Sequence, residues 1–251
     1  MTMRKFTGLL AGCVVGVLAF RVWAYTQLTA TKSSATPATI VYLVKDFDEK
    51  GNPAPSDILV RAYRSDGSHA RYMLNVNARP PIRSVIDYER RVQASIDPLI
   101  KAMIRHSITQ GPWIPTTCEG AWGPGHCLGP VGEKISGFSL ERVSRKEPGG
   151  DEYAYWNEFL VAPALDYRPL KRTLTTSGGS VVQEWTAIDV RLGEPDPALF
   201  EIPEDYEVVS RDVYYQRGME ARSRKADPDL VERFRALEEG RRPVPGCKKQ
   251  D

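Results

Sequence analysis

From Thr39 to Leu192 short β-branched and aromatic runs alternate with residues that favour tight turns, and this rhythm restricts the fold class more than any other feature of the chain. Thr39 to Val44 is one such run, followed by Gly51-Asn52-Pro53-Ala54-Pro55. Asp57 to Arg64 and His69 to Val76 then flank Ser65-Asp66-Gly67-Ser68, where Asp-Gly supplies the positive φ that a two-stranded hairpin needs. The pattern continues through Pro80-Pro81, Ile82 to Asp87, a turn at Tyr88-Glu89-Arg90, Arg91 to Ile96, Asp97-Pro98 and Lys101 to Ile108. After an irregular stretch from Thr109 to Gly132, further strands are predicted at Lys134 to Arg145, Glu152 to Val161, Arg168 to Thr176 and Val181 to Leu192. Their turns fall at Pro148-Gly149-Gly150 and Ser177-Gly178-Gly179-Ser180. Parallel strands would need helical crossovers that these short junctions cannot hold. The expected class is mainly β (α+β): one large, curved antiparallel meander sheet, a half-barrel, with a helix at the C-terminal end.

That sheet domain is expected over 39–209, within four segments. Residues 1–24 read as a signal peptide or N-terminal anchor: Arg4-Lys5, the uncharged run Phe6 to Phe20, Arg21, then Val22-Trp23-Ala24 as a cleavage site. Kept uncleaved, the run would contact the membrane as an anchor, although it is shorter than the roughly 20 apolar residues of a spanning helix. Leu10-Ala11-Gly12-Cys13 also spells a lipidation site, with no polar tether after it. Residues 25–38 read as a flexible spacer and 210–251 as a helical, partly disordered tail. In that tail Asp227-Pro228 starts a helix with Leu230, Val231, Phe234 and Leu237 on one side. Asp196-Pro197 predicts a short capped turn that tucks Leu199 and Phe200 inward.

An exported chain meets oxidising conditions, so Cys118 and Cys127 are expected to form a disulfide around a loop of glycine and proline. A metal site of Cys118, His126 and Cys127, or free thiols, are the alternatives. Cys247 is free or pairs with another molecule. The formal charge of +2 includes Arg4, Lys5 and Arg21, and without them it is about −1, so there is no basic excess to hold nucleic acid. His69, His106 and His126 fall on different predicted elements, and no catalytic motif or phosphate-binding glycine loop occurs. Asp46-x-Asp48-x-Lys50-Gly51 imitates a calcium loop, but Lys50 stands where an oxygen ligand belongs. The reading is therefore not an enzyme, with no cofactor and no metal.

Alternation along Glu152 to Ala162 puts Tyr153, Tyr155, Phe159 and Val161 on one side and Ala154, Trp156, Leu160 and Ala162, with Glu158, on the other. Two partly apolar sides mean a strand covered on both faces, or one whose inner face lines a cavity. Trp156, Leu160, Val182 and Ile188 are the expected lining residues. Trp113 and Trp122, flanking the bridge, are expected either to hold a ligand or partner or to plug one end of the sheet.

Glu158-Phe-Leu-Val-Ala-Pro-Ala-Leu-Asp-Tyr-Arg-Pro-Leu170, Glu184 to Leu192 and Gly193-Glu-Pro-Asp-Pro-Ala-Leu-Phe-Glu-Ile-Pro203 resemble a group of uncharacterised exported bacterial proteins. Their sheet is similar to that of the LolA/LolB lipoprotein-carrier and RseB-like superfamily. Lys134-Ile-Ser-Gly-Phe138 and the hairpins from Asp57 to Ile108 stand in the same order. The resemblance implies a curved antiparallel sheet around an apolar cavity that accepts acyl chains in the carriers, although Thr109 to Gly132 holds too many Gly and Pro for plug helices. The expected function is non-enzymatic: a periplasmic or envelope protein binding a lipid or lipidated peptide. The alternative is an envelope scaffold with a solid core and a protein partner.

Overall fold

A computed structural model describes residues 34–48, 50–75, 79–147 and 155–222. The leader with Cys13, the turn at Pro148-Gly149-Gly150, the helix expected from Asp227 and Cys247 lie outside these residues.

The first meander runs β1 (Ala38–Asp46), β2 (Asp57–Tyr63), β3 (His69–Asn75), β4 (Arg79–Asp87), β5 (Val92–Asp97) and β6 (Ala102–Ser107), each antiparallel to the one before. The chain then crosses to the far edge through α1 (Cys118–Trp122) and meanders back as β7 (Cys127–Ile135), β8 (Phe138–Glu147), β9 (Tyr155–Ala162), β10 (Arg168–Thr176) and β11 (Val181–Leu192). β11 pairs with β1, so both meanders join in one sheet of 12 strands. β12 (Glu207–Val208) adds parallel to β6, and α2 (Arg211–Arg222) follows. The curved, mostly antiparallel sheet with its C-terminal helix is thus present.

Three local expectations change. Lys134 to Arg145 is not one strand, because Ser136 and Gly137, at φ 49° and 83°, turn the chain between β7 and β8. This is the paired positive φ of a two-residue hairpin. The irregular stretch from Thr109 to Gly132 includes α1 and the start of β7, whose register slips on both sides of the segment Gly129 to Val131. Pro80 and Pro81 lie inside β4 rather than before it; they fall where the ladder with β3 is interrupted, so their missing N–H groups cost no regular bond.

The Asp196 carboxylate accepts from Ala198 N at 3.0 Å and Pro197 opens a 3-10 turn, which buries Leu199 and Phe200. That turn covers the outer face of the first meander, packing on Ala62, Ala70, Val85, Ala94, Ile96 and Met103. Cys118 and Trp122 of α1 pack on Val143, Phe159 and Val161 of β8 and β9, and the Phe159 ring also lies 5.9 Å from the Arg172 guanidinium. The crossover from β6 to β7 passes both strand-end turns: a Cβ on Gly67 would meet Pro112 Cβ at 2.5 Å, and Trp122 Nε1 donates to Tyr167 O at 3.1 Å. Residues 34–37, at the end of the expected spacer, lie against the domain: Ala35 is buried and its N–H donates to Ser65 O at 2.8 Å.

Candidate functional site

The opposite face carries the largest apolar cluster: Ile40, Tyr42 and Val44 of β1, Leu59 of β2, Trp185 and Ala187 of β11, Leu170 of β10, Leu160 and Ala162 of β9, and Leu140 of β8. Tyr63, Met73, Val131, Ile135, Phe138 and Val190 pack against it and stay partly accessible. This face is the concave one. The Arg168 guanidinium of β10 lies 3.9 Å from the Tyr63 ring centroid of β2, although β11 and β1 run between them. At about 4.8 Å per strand those backbones would be roughly 14 Å apart in a flat sheet, so the sheet bends toward this side. Neither described α-helix belongs to this cluster.

Two bulges decide which residues face inward. Between β1 and β11, Val41 faces Asp189 and Tyr42 faces Ala187, leaving Ile188 as the extra residue; between β10 and β11, Leu174 faces Gln183 and Thr175 faces Val181, leaving Val182 extra. A bulge interrupts the strict two-residue alternation on which the lining reading rested. Ile188 is 56% exposed, Val182 is half-buried, and the inward residues of β11 are Trp185, Ala187 and Val190. Leu160 does lie in the concave cluster, while Trp156 is 47% exposed, with Lys146 Nζ 5.9 Å from its ring. The four expected lining residues are therefore not brought together. The two loop tryptophans also part: Trp122 stacks on Phe159 with centroids 4.5 Å apart, whereas Trp113 is 53% exposed beside buried Ile114. The Cys118–Cys127 bond is formed, which removes both thiolates as metal ligands, and His126 instead lies 3.0 Å from Ser144 O.

Sequence reading missed the charge on the concave face. Arg61 of β2, Arg71 of β3 and Arg172 of β10 approach the Trp185 ring at 5.2, 5.8 and 4.6 Å. Arg61 also lies 5.9 Å from the Tyr42 ring, whose hydroxyl donates to Pro169 O at 2.7 Å. Burial holds the Tyr42 hydroxyl far above the usual tyrosine range. Arg172 donates to two neutral side chains, Asn157 Oδ1 at 2.7 Å and Gln183 Oε1 at 3.0 Å. Asp166 Oδ2 faces Arg168 at 3.3 Å. Among the described residues no carboxylate forms an ion pair with Arg61 or Arg71. Partial burial, then the charges of Arg61 and Arg172, push Arg71 below the ordinary arginine value. His69 is likewise lowered, first by burial and further by Arg61 and Arg168. Arg61 and Arg71 are directly paired across β2 and β3, where like charges destabilise. A cation near an aromatic face returns only about 0.5–1 kcal/mol at an exposed site.

No family model and no curated protein sequence matches the chain. Among solved structures it is similar to an uncharacterized conserved protein from Thermus thermophilus, with 14% identity, 70% of this chain and 91% of that chain covered, and a TM-score of 0.46. It is similar to the Pseudomonas aeruginosa MucA/MucB complex at 14% identity, with 75% of this chain covered, 62% of that chain spanned and a TM-score of 0.43. A LolA superfamily protein from Nitrosomonas europaea is similar at 11% identity, with 71% and 95% coverage and a TM-score of 0.30. These are likenesses of fold.

Proposed function

We propose that the chain is a non-enzymatic envelope protein that binds a lipid or lipidated peptide against the concave face of its sheet. The observation that carries this reading is the apolar cluster on this face, whose centre is buried and whose rim, with Tyr63, Met73, Ile135, Phe138 and Val190, stays partly accessible. Burying such surface contributes about 25 cal/mol per Å², enough for an acyl chain to bind through many weak contacts. In this reading Leu160 forms the floor and Trp156 stands near the mouth, while Val182 and Ile188 act by bending β11. Export, with the leader cleaved, lipidated at Cys13 or retained as an anchor, belongs to the same proposal, and the disulfide fits an oxidising compartment. So does the proposed division into leader 1–24, spacer 25–38, sheet domain 39–209 and tail 210–251.

The test is native mass spectrometry of the protein exported from a bacterial host, with lipid extraction. Near-stoichiometric lipid, lost in a folded Met73→Asp or Phe138→Asp variant, is the expected result. Bare protein that ignores added acyl ligands would favour the second reading, a scaffold docking a protein partner. The exposed Trp113, on a crossover seated against Gly67, supports that alternative.

A further inference from the structure

We infer that Arg61, Arg71 and Arg172 form a site for a phosphate group at the concave face, so that the ligand is an anionic amphiphile with its head on the arginines and its chain on the apolar surface. The inference rests on the apolar-ligand reading above and adds the chemistry of the head. Three cations from three strands surround one indole, and Arg61 Nε is buried without a hydrogen-bond partner. Arg61 also interacts with the Tyr63 side chain, which carries no charge to neutralise it.

The same face also holds an arginine with a carboxylate beside it. Arg168 has Asp166, and its guanidinium donates to Thr36 O as well. A planar carboxylate with two oxygens suits one arginine fork in this way. Arg61 and Arg71, directly paired across β2 and β3, with Arg172 on the other side of the Trp185 strand, offer N–H groups that suit a tetrahedral group with more acceptor oxygens. Contact with the Trp185 ring restricts the guanidiniums in advance, which lowers the entropy lost when an anion arrives. Phosphate can come from a lipid head group or from free phosphate, and the experiment separates these sources.

The full chain is titrated calorimetrically with 1-acyl-glycerol 3-phosphate, with monoacylglycerol of the same chain length and with inorganic phosphate, both lipids below their micelle concentrations. The phosphorylated lipid is expected to bind about tenfold or more tighter than monoacylglycerol. Arg71→Gln and the Arg61→Gln/Arg71→Gln pair should erase that difference while leaving monoacylglycerol affinity within about twofold. Arg71→Gln should also leave the thermal midpoint of the ligand-free protein unchanged or raise it, because it relieves like-charge repulsion; a lowered midpoint would mark a structural arginine and overturn the site. Equal binding of both lipids overturns this inference and leaves the apolar reading standing. Phosphate binding that is lost in Arg71→Gln and gains nothing from an acyl chain keeps the anion site, assigns it to free phosphate and removes the apolar reading. Binding of none of the three probes removes both.

Discussion

Asp166 and Tyr167 both hold left-handed backbone, at φ 56° and 58°, a conformation that disfavours side chains with a Cβ. Contacts on both sides hold them there. Asp166 accepts from Thr36 N at 2.7 Å and Thr36 Oγ1 at 3.2 Å and pairs with Arg168, while Tyr167 O accepts the Trp122 indole N–H at 3.1 Å. Replacing Asp166 by Ala leaves the buried Arg168 cation without its carboxylate, and breaking a buried pair in this way costs about 3–5 kcal/mol. Asp166→Ala is therefore expected to lower the urea midpoint strongly, whereas Asp166→Asn, which keeps an acceptor for Thr36, should lose less. Equal losses would mean that the acceptor for Thr36 adds nothing and that the lost carboxylate charge carries the whole effect. At this scale the sequence is readable where a residue acts on its neighbours, as Asp196 and Pro197 do. It is silent where the partner is 130 positions away, as for Thr36 and Asp166, and it misleads at Val182 and Ile188, because a bulge leaves no mark in a single sequence.

At the scale of elements, turn chemistry made most strands legible, and the exceptions share a cause. β7 is an edge strand with Pro130 and two register slips, so it lacks the alternation that a regular ladder imposes. α1 has five residues, too few for a helical period to appear, and needs other support. Thr117 caps it by accepting Gly120 N at 3.0 Å, and the bond from Cys118 to Cys127 ties it to β7. A disulfide closing a loop of about ten residues contributes on the order of 2–3 kcal/mol in the chain-entropy treatment. The Cys118→Ser/Cys127→Ser pair is expected to lose about that much stability. It should also redshift the emission of Trp122, which stacks on Phe159 beside the bond. Full loss of stability with no spectral change would show that the bond does not order α1.

The order of strands makes the molecule one cooperative unit. β1 is paired on one side with β2 and on the other with β11, so the first and last strands of the two meanders form a central seam. Tyr42 ties that seam to β10 through Pro169 O, and the concave cluster spans strands of both meanders. Neither meander can leave without exposing Ile40, Tyr42 and Leu59, each at most 1% exposed, so loss of the seam should coincide with global unfolding. β12 and α2 are different, being attached at the β6 edge with Met219 68% and Val208 56% exposed. Native-state hydrogen exchange should therefore show β1 and β11 opening together at the global limit, with α2 opening first. A ligand on the concave face touches both meanders, so it should slow exchange in β2–β3 and β10–β11 alike. Protection confined to the β6 edge and α2 would instead place the ligand on the outer surface, where the curvature of the sheet could not enclose it.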